Sequence, residues 1–191
     1  MAVFGSGRIC SKYDQAAFDM KNPSLDLKLS KAIDVLESSI QGPVQDLPED
    51  LFLFISRITP LVNVDLLIKN SDNQTLLTWR DDVYGEPGWH IPGGIIRHKE
   101  TFADRIRAVA KNELGAEVEF NPILLAMKEV LVRERKDRSH FISLLYSCRL
   151  STQPAENLRF NGICPRHGEW MWHDSCPKNI LKVHEMYKDF M

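Results

Sequence analysis

Residues 92–115 constrain this chain more than any other stretch. Pro92 is followed by Gly93 and Gly94, a polar turn leads to Glu100, and an amphipathic run carries Glu113 before closing at Gly115. A pair of glycines lets backbone amides and carbonyls approach a ligand closely, and the free amides that open the following helix attract anions. Thr101 and Asp104 have the spacing of a capping box, and Gly115 supplies a left-handed stop, so a helix is predicted between them. On a helical wheel, Phe102, Ile106, Val109 and Ala110 form one apolar stripe with Glu113 in its middle. A carboxylate directed inward costs several kcal/mol unless it meets a cation, so Glu113 is expected beside an arginine or a metal ion. With Glu100 it makes a donor set suited to a divalent metal holding a diphosphate.

The rest of the chain frames this element. A length of 191 residues suits one domain with an appendage, and a formal charge of -2 gives no electrostatic case for nucleic acid or a membrane surface. Small ligands are the expected partners. Residues 1–13 show no signal pattern and no run reaches membrane-spanning length, which points to a cytoplasmic protein. The four cysteines are scattered, which argues against a disulfide framework. Cys164, His167, His173 and Cys176 are ligand types at zinc-like spacing, but a strand over 169–172 would hold the two pairs apart.

Residues 1–45 read as a helical extension, with Leu25, Leu27, Leu29, Ile33, Leu36 and Ile40 in rough helical register and Gly42-Pro43 as its end. The remainder, 46–191, reads as the functional domain. A short helix begins at Pro48 and stops at Thr59-Pro60. A strand over 61–69 has apolar even positions, whereas its odd positions include Asn63 and Asp65; a turn at 70–73 then predicts a hairpin with a strand over 74–80. Further strands are predicted within 118–132, over 140–150 and over 169–173, and a last helix over 177–190. Residues 133–138 read as a solvated hairpin tip, with the alternative that its arginines and lysine reach phosphates. Trp170 and Trp172 share one strand face as core, and His98, His140 and His184 read as structural or exposed. Strands on both sides of a helix imply an α/β fold with a mixed sheet between helices.

The run Gly-Trp-His-Ile-Pro-Gly-Gly at 88–94, with Glu100, Glu113 and Gly115, resembles the Nudix hydrolase signature, with Ala108, Val109 and Asn112 where an arginine and two glutamates are usual. From about Leu47 onward the chain is similar to the GDP-mannose mannosyl hydrolase branch, on Thr59-Pro60-Leu61-Val62, Asp65, Asn70-Ser71, Arg80, Trp89, the glycine loop and the His167 to Trp172 spacing. The resemblance implies a Nudix-fold α/β/α sandwich, homodimeric, that uses magnesium, or manganese in its place. The implied reaction is hydrolysis of a nucleoside-diphosphate sugar by water attack at the anomeric carbon. By position His167 would be the base, Gly93 and Glu113 would hold the metal, and Arg80 with Asp65 would arrange the leaving group. Gly94, Glu100 and Gly115 would complete the motif. Ile95, Phe141 and Arg166 depart from the branch, and Arg97 or Arg166 would then serve as phosphate-binding substitutes. The alternatives are attack at phosphorus in another nucleoside-diphosphate derivative, or nucleotide binding without turnover.

Overall fold

The computed structural model describes residues 23–40, 47–82 and 86–191, so the expected stop at Gly42-Pro43 and the reading of residues 1–13 lie outside it. The chain divides into two units, Met1–Gln41 and Gly42–Met191. In the first, α1 spans Pro23–Ser38 and leaves Leu25, Leu29, Ile33 and Leu36 exposed.

The second unit begins with α2, Glu49–Ile58, whose first turn carries Glu49 and Asp50 where the helix dipole favours negative charge. Two sheets follow. The larger is built on β1 (Leu61–Ile68), which runs parallel to β7 (His140–Leu150) and antiparallel to β4 (Gly93–Ile95). β5 (Val118–Phe120) and β6 (Ala126–Leu131) both pair antiparallel with β7, so the sheet is mixed as expected. Its central pair carries apolar residues on both faces, as buried parallel strands do, with Asp65 and Ser143 as buried polar exceptions. Val64, Leu66 and Ile68 join the core beneath α3 (Phe102–Leu114), while Leu67 and Leu145 join a second core on the other side.

The smaller sheet holds β2 (Thr75–Arg80) between β3 (Gly88–His90) and β8 (Trp170–His173). The predicted hairpin therefore opens at its base: a single bridge, Lys69 to Thr75, joins the two strands before they part into different sheets. Splitting them lets β2 cover a second face of core with Leu76 and Leu77, both fully buried. Trp170 and Trp172 pack into the core under α3 as expected.

The predicted last helix is a 3-10 helix over Lys182–Phe190. In that geometry side chains three apart eclipse one another. His184, Tyr187 and Phe190 consequently form one inward row, with successive ring centroids 6.3 Å apart, and Tyr187 is wholly buried. Among the described residues no helix is long and apolar enough to cross a membrane.

Candidate active site

The capping box of α3 is present, with Thr101 accepting from the Asp104 amide and Asp104 from the Thr101 amide, and Gly115 ends the helix at φ 61°. Ile106, Val109 and Ala110 are buried as the wheel required, but Phe102, the first residue of the helix, is half exposed. The buried cation on this helix is Arg105. Its Nε donates to Glu100 Oε2 at 2.7 Å, with side-chain exposures of 6% and 4%. Glu100 Oε2 also accepts from the Arg97 amide at 2.9 Å. Glu100 thus ties the glycine loop to the helix as a structural anchor, and it is not a metal ligand facing the cavity.

Glu113 is free of that pair. Its carboxylate accepts from the Gly93 amide and from Thr78 Oγ1, both at 3.3 Å, and His90 Nε2 stands 3.6 Å away. Among the described residues no arginine pairs with it. The side chain is partly exposed to a cavity and sits at the C-terminal end of α3, where the helix dipole adds negative potential and favours a cation.

Gly93 is required by what lies behind it. A Cβ there would stand 2.2 Å from Asp65 Oδ1 and 3.0 Å from the Val64 carbonyl. Asp65 itself is buried, and burial raises its carboxyl to about 6 against the hydrogen bond from Ser143 and the nearby His90. Tyr187 donates to Ser143 Oγ at 2.8 Å and Ser143 donates to Asp65 Oδ2, a relay that fastens the C-terminal 3-10 helix to β7 and β1. Asp65 therefore supports the glycine loop from beneath, and together with Arg80 it also lines a small cavity of about 80 Å³. His184, on the same 3-10 helix, accepts from the Ile91 amide at 3.2 Å, and burial beside His90 and Arg80 pushes it down to about 3.

The opposite wall comes from β2 and the loop before β8. The Trp79 amide donates to the Glu169 carbonyl at 2.7 Å and the Gly168 amide to the Trp79 carbonyl at 2.8 Å, which carries His167 alongside Asp81. Gly168 has a φ of 83°, a conformation that favours glycine. His167 is exposed at the rim, and its Nδ1 accepts from the Asp81 amide at 3.2 Å. Gly93, Gly94, Glu113, His90, Arg80 and His167 line one cavity of about 420 Å³. The family model described as NUDIX domain matches residues 59–184, a span that contains all of them.

The chain belongs to the Nudix family. The fold agrees: a MutT NUDIX hydrolase from Burkholderia pseudomallei superposes with a TM-score of 0.57 at 19% identity, over 70% of this chain and 98% of that one. The MutT protein from Methanosarcina mazei Go1 gives 0.52 at 16% identity, over 69% and 91%. A curated relative, the low-salt glycan biosynthesis protein Agl8 of Haloferax volcanii, is 36% identical over 76 residues. That match covers 40% of this chain and spans about half, 48%, of the relative.

Within this Nudix domain, the cavity reunites Arg80, Gly93, Gly94, Glu113 and His167 from the sequence reading. Arg97 and Arg166 line neither it nor its neighbours: the Arg97 amide closes the turn onto Glu100, and Arg166 Nε is held by Glu169 at 3.2 Å. Residues 133–138 are not a free solvated tip, because Arg135 and Arg138 line adjoining cavities. Among the described residues no three metal-ligating side chains gather, so the Cys164, His167, His173, Cys176 set makes no zinc site. The sequence pattern assigns no site role to His90, Thr78, Ser143 or Tyr187. His90 stands two residues before Pro92, which was a usable signal; Ser143 and Tyr187 reach the site only through tertiary packing.

Nudix hydrolases generally use divalent metals such as magnesium. The donor chemistry here is one outward-facing carboxylate, Glu113, beside the glycine backbone. Magnesium keeps several waters and binds through one or two carboxylates plus substrate phosphates, so these residues fit an ion that arrives with a diphosphate.

Proposed function

We propose that this Nudix domain hydrolyses a nucleoside-diphosphate sugar, of the GDP-mannose or GDP-glucose kind, by directing water at the anomeric carbon. The observation that carries this reading is the single cavity onto which a histidine, a carboxylate and an arginine face together: His167, Glu113 and Arg80. A further cavity of about 580 Å³ also has Arg80 in its wall, so a ligand of two parts has room on either side of that cation. The relative named for glycan biosynthesis is in keeping with a sugar-bearing substrate.

In this reading the water oxygen bonds to the anomeric carbon as the carbon–oxygen bond to the diphosphate breaks. The bonding pair leaves on the phosphate oxygen, and the water's proton passes to a histidine. Arg80 stabilises the charge that develops on the diphosphate. Glu113 and the Gly93 backbone would hold magnesium, or manganese, whose chemistry is to neutralise that same leaving group. Histidine suits a base because its ordinary pKa is close to neutrality. His167 must release the Asp81 amide before Nδ1 takes a proton. His90, beside Glu113 and only 13% exposed, is the second candidate for that step.

Incubation with GDP-mannose and GDP-glucose, magnesium and heavy-oxygen water tests the reading. Label in the released sugar is expected. Label in phosphate would instead indicate a pyrophosphohydrolase, and binding without products a silent module. Glu113→Gln, His167→Gln and His90→Gln identify the groups involved: sugar release that survives all three unchanged overturns the assignment. The resemblance also implies a homodimer, which sedimentation of the full chain checks.

A further inference from the structure

The loop between β6 and β7 is held in an unusual way. Arg138 adopts a φ of 50°, a left-handed conformation that costs a non-glycine residue about 1 kcal/mol or more. Such strain persists only where the surroundings impose it, and here α2 does so. The Arg138 amide donates to Ser56 Oγ at 3.0 Å, and its guanidinium lies 5.7 Å from the Phe52 ring. Arg57 Nη1 donates to Asp137 Oδ1 at 2.6 Å. Three attachments from two successive turns of one helix thus fix one short loop.

The result of that fixation is electrostatic. Arg138 lines both the 420 Å³ cavity and a small neighbour of about 80 Å³, and Arg135 lines that neighbour and the 580 Å³ cavity. Arg80 lines all three. The charged residues around the small cavity are these three arginines and one carboxylate, Asp65. Arg80 Nε is already paired with Asp82; guanidinium forks match phosphate oxygens, so an anion entering between the three arginines offsets their mutual repulsion.

We infer that α2 braces the β6–β7 loop so that Arg135 and Arg138 join Arg80 as a diphosphate-binding cluster. The inference rests on the reading above for the identity of the substrate, but not for the anion itself. Arg138 and Arg135 contact the diphosphate. Arg57, Ser56 and Asp137 are positioning residues that act through Arg138.

The test is calorimetric titration of the full chain with inorganic pyrophosphate, which needs no turnover. Arg138→Gln is expected to weaken binding about tenfold or more, and Arg138→Lys to restore part of it. Arg57→Ala is expected to weaken it about threefold with an almost unchanged melting temperature. Arg107→Gln, on an exposed face of α3, serves as the charge control and leaves binding unchanged. Wild-type affinity in Arg138→Gln overturns the inference, as does a loss in Arg57→Ala matched by a loss of melting temperature. Failure here is separable from failure of the function. Hydrolysis of GDP-sugars with Arg138→Gln unchanged in KM and pyrophosphate affinity removes only the cluster. Arg138-dependent pyrophosphate binding without any sugar release removes only the proposed reaction.

Discussion

The two walls of the cavity are built in opposite ways. The wall made by the glycine loop and α3 is closed by a dry ion pair, Glu100 with Arg105, and by a glycine pressed against Asp65. The wall made by Arg80, His167 and the β6–β7 loop is held by wet contacts: Arg57 and Asp137 are each about a third exposed, and Arg166 is 87% exposed beside Glu169. A buried pair is costly to break, whereas an exposed one contributes little. The first wall therefore determines whether the domain stands, and the second what it binds.

The largest effect should come from Glu100→Ala, which strands the Arg105 guanidinium in the core. A loss of about 3–5 kcal/mol is expected in denaturant unfolding. If the loss is under about 1 kcal/mol, the contrast between dry and wet walls collapses. Gly93→Ala comes next, at about 1–3 kcal/mol, because its Cβ overlaps Asp65 and the loop must shift. Sugar release should fall with it.

Asp65→Asn probes the same wall through pH. Burial raises Asp65 from 3.8 to about 6, so the folded chain holds this proton more tightly than the unfolded one and loses stability as pH rises between those values. At pH 7 the variant is expected to be about 1–3 kcal/mol more stable than the native chain, with the gap closing toward pH 3.8. His184 has the opposite sign. Its folded value of about 3 lies below the ordinary 6.5, so its contribution is lost as pH falls below 6.5. In the native chain the two oppose each other; in Asp65→Asn the opposing carboxyl is gone, and the His184 limb, joined by His173 whose burial lowers it too, should make the melting temperature fall steadily below pH 6.5. A gap between the two chains that does not change with pH would remove the buried-charge account of Asp65.

The smallest stability effect belongs to Arg57→Ala, at about 1 kcal/mol or less. Its weakened hold on pyrophosphate is what would set the second wall apart from the first.

What could be read from residues alone was the first wall. The glycines, the capping box and the stop at Gly115 are local, with spacing that reports directly on a loop and a helix. The wheel sets Glu113 on the inward stripe and asks for an arginine or a metal ion beside it; among the described residues its partners are Thr78, the Gly93 amide and His90. The wheel could not separate Glu113 from Arg105, because periodicity assigns a face and not a partner. Likewise a turn at 70–73 marks a reversal of the chain, but not whether its strands stay paired or part into two sheets.

The amino-acid sequence by itself determined the α/β class, the Nudix loop and helix, and the candidates Gly93 and Glu113, since each belongs to a short run with its own spacing, while Arg80 and His167 became candidates only through the family resemblance. Only the tertiary structure decided that Glu100 anchors, that Asp65 supports, and that Arg138 reaches the site. Those roles depend on contacts such as Ser143 to Asp65 and Ser56 to Arg138, 78 and 82 residues apart in the chain. Between such distant residues no local pattern carries a signal, and the cost of burying charge is settled only when the walls close.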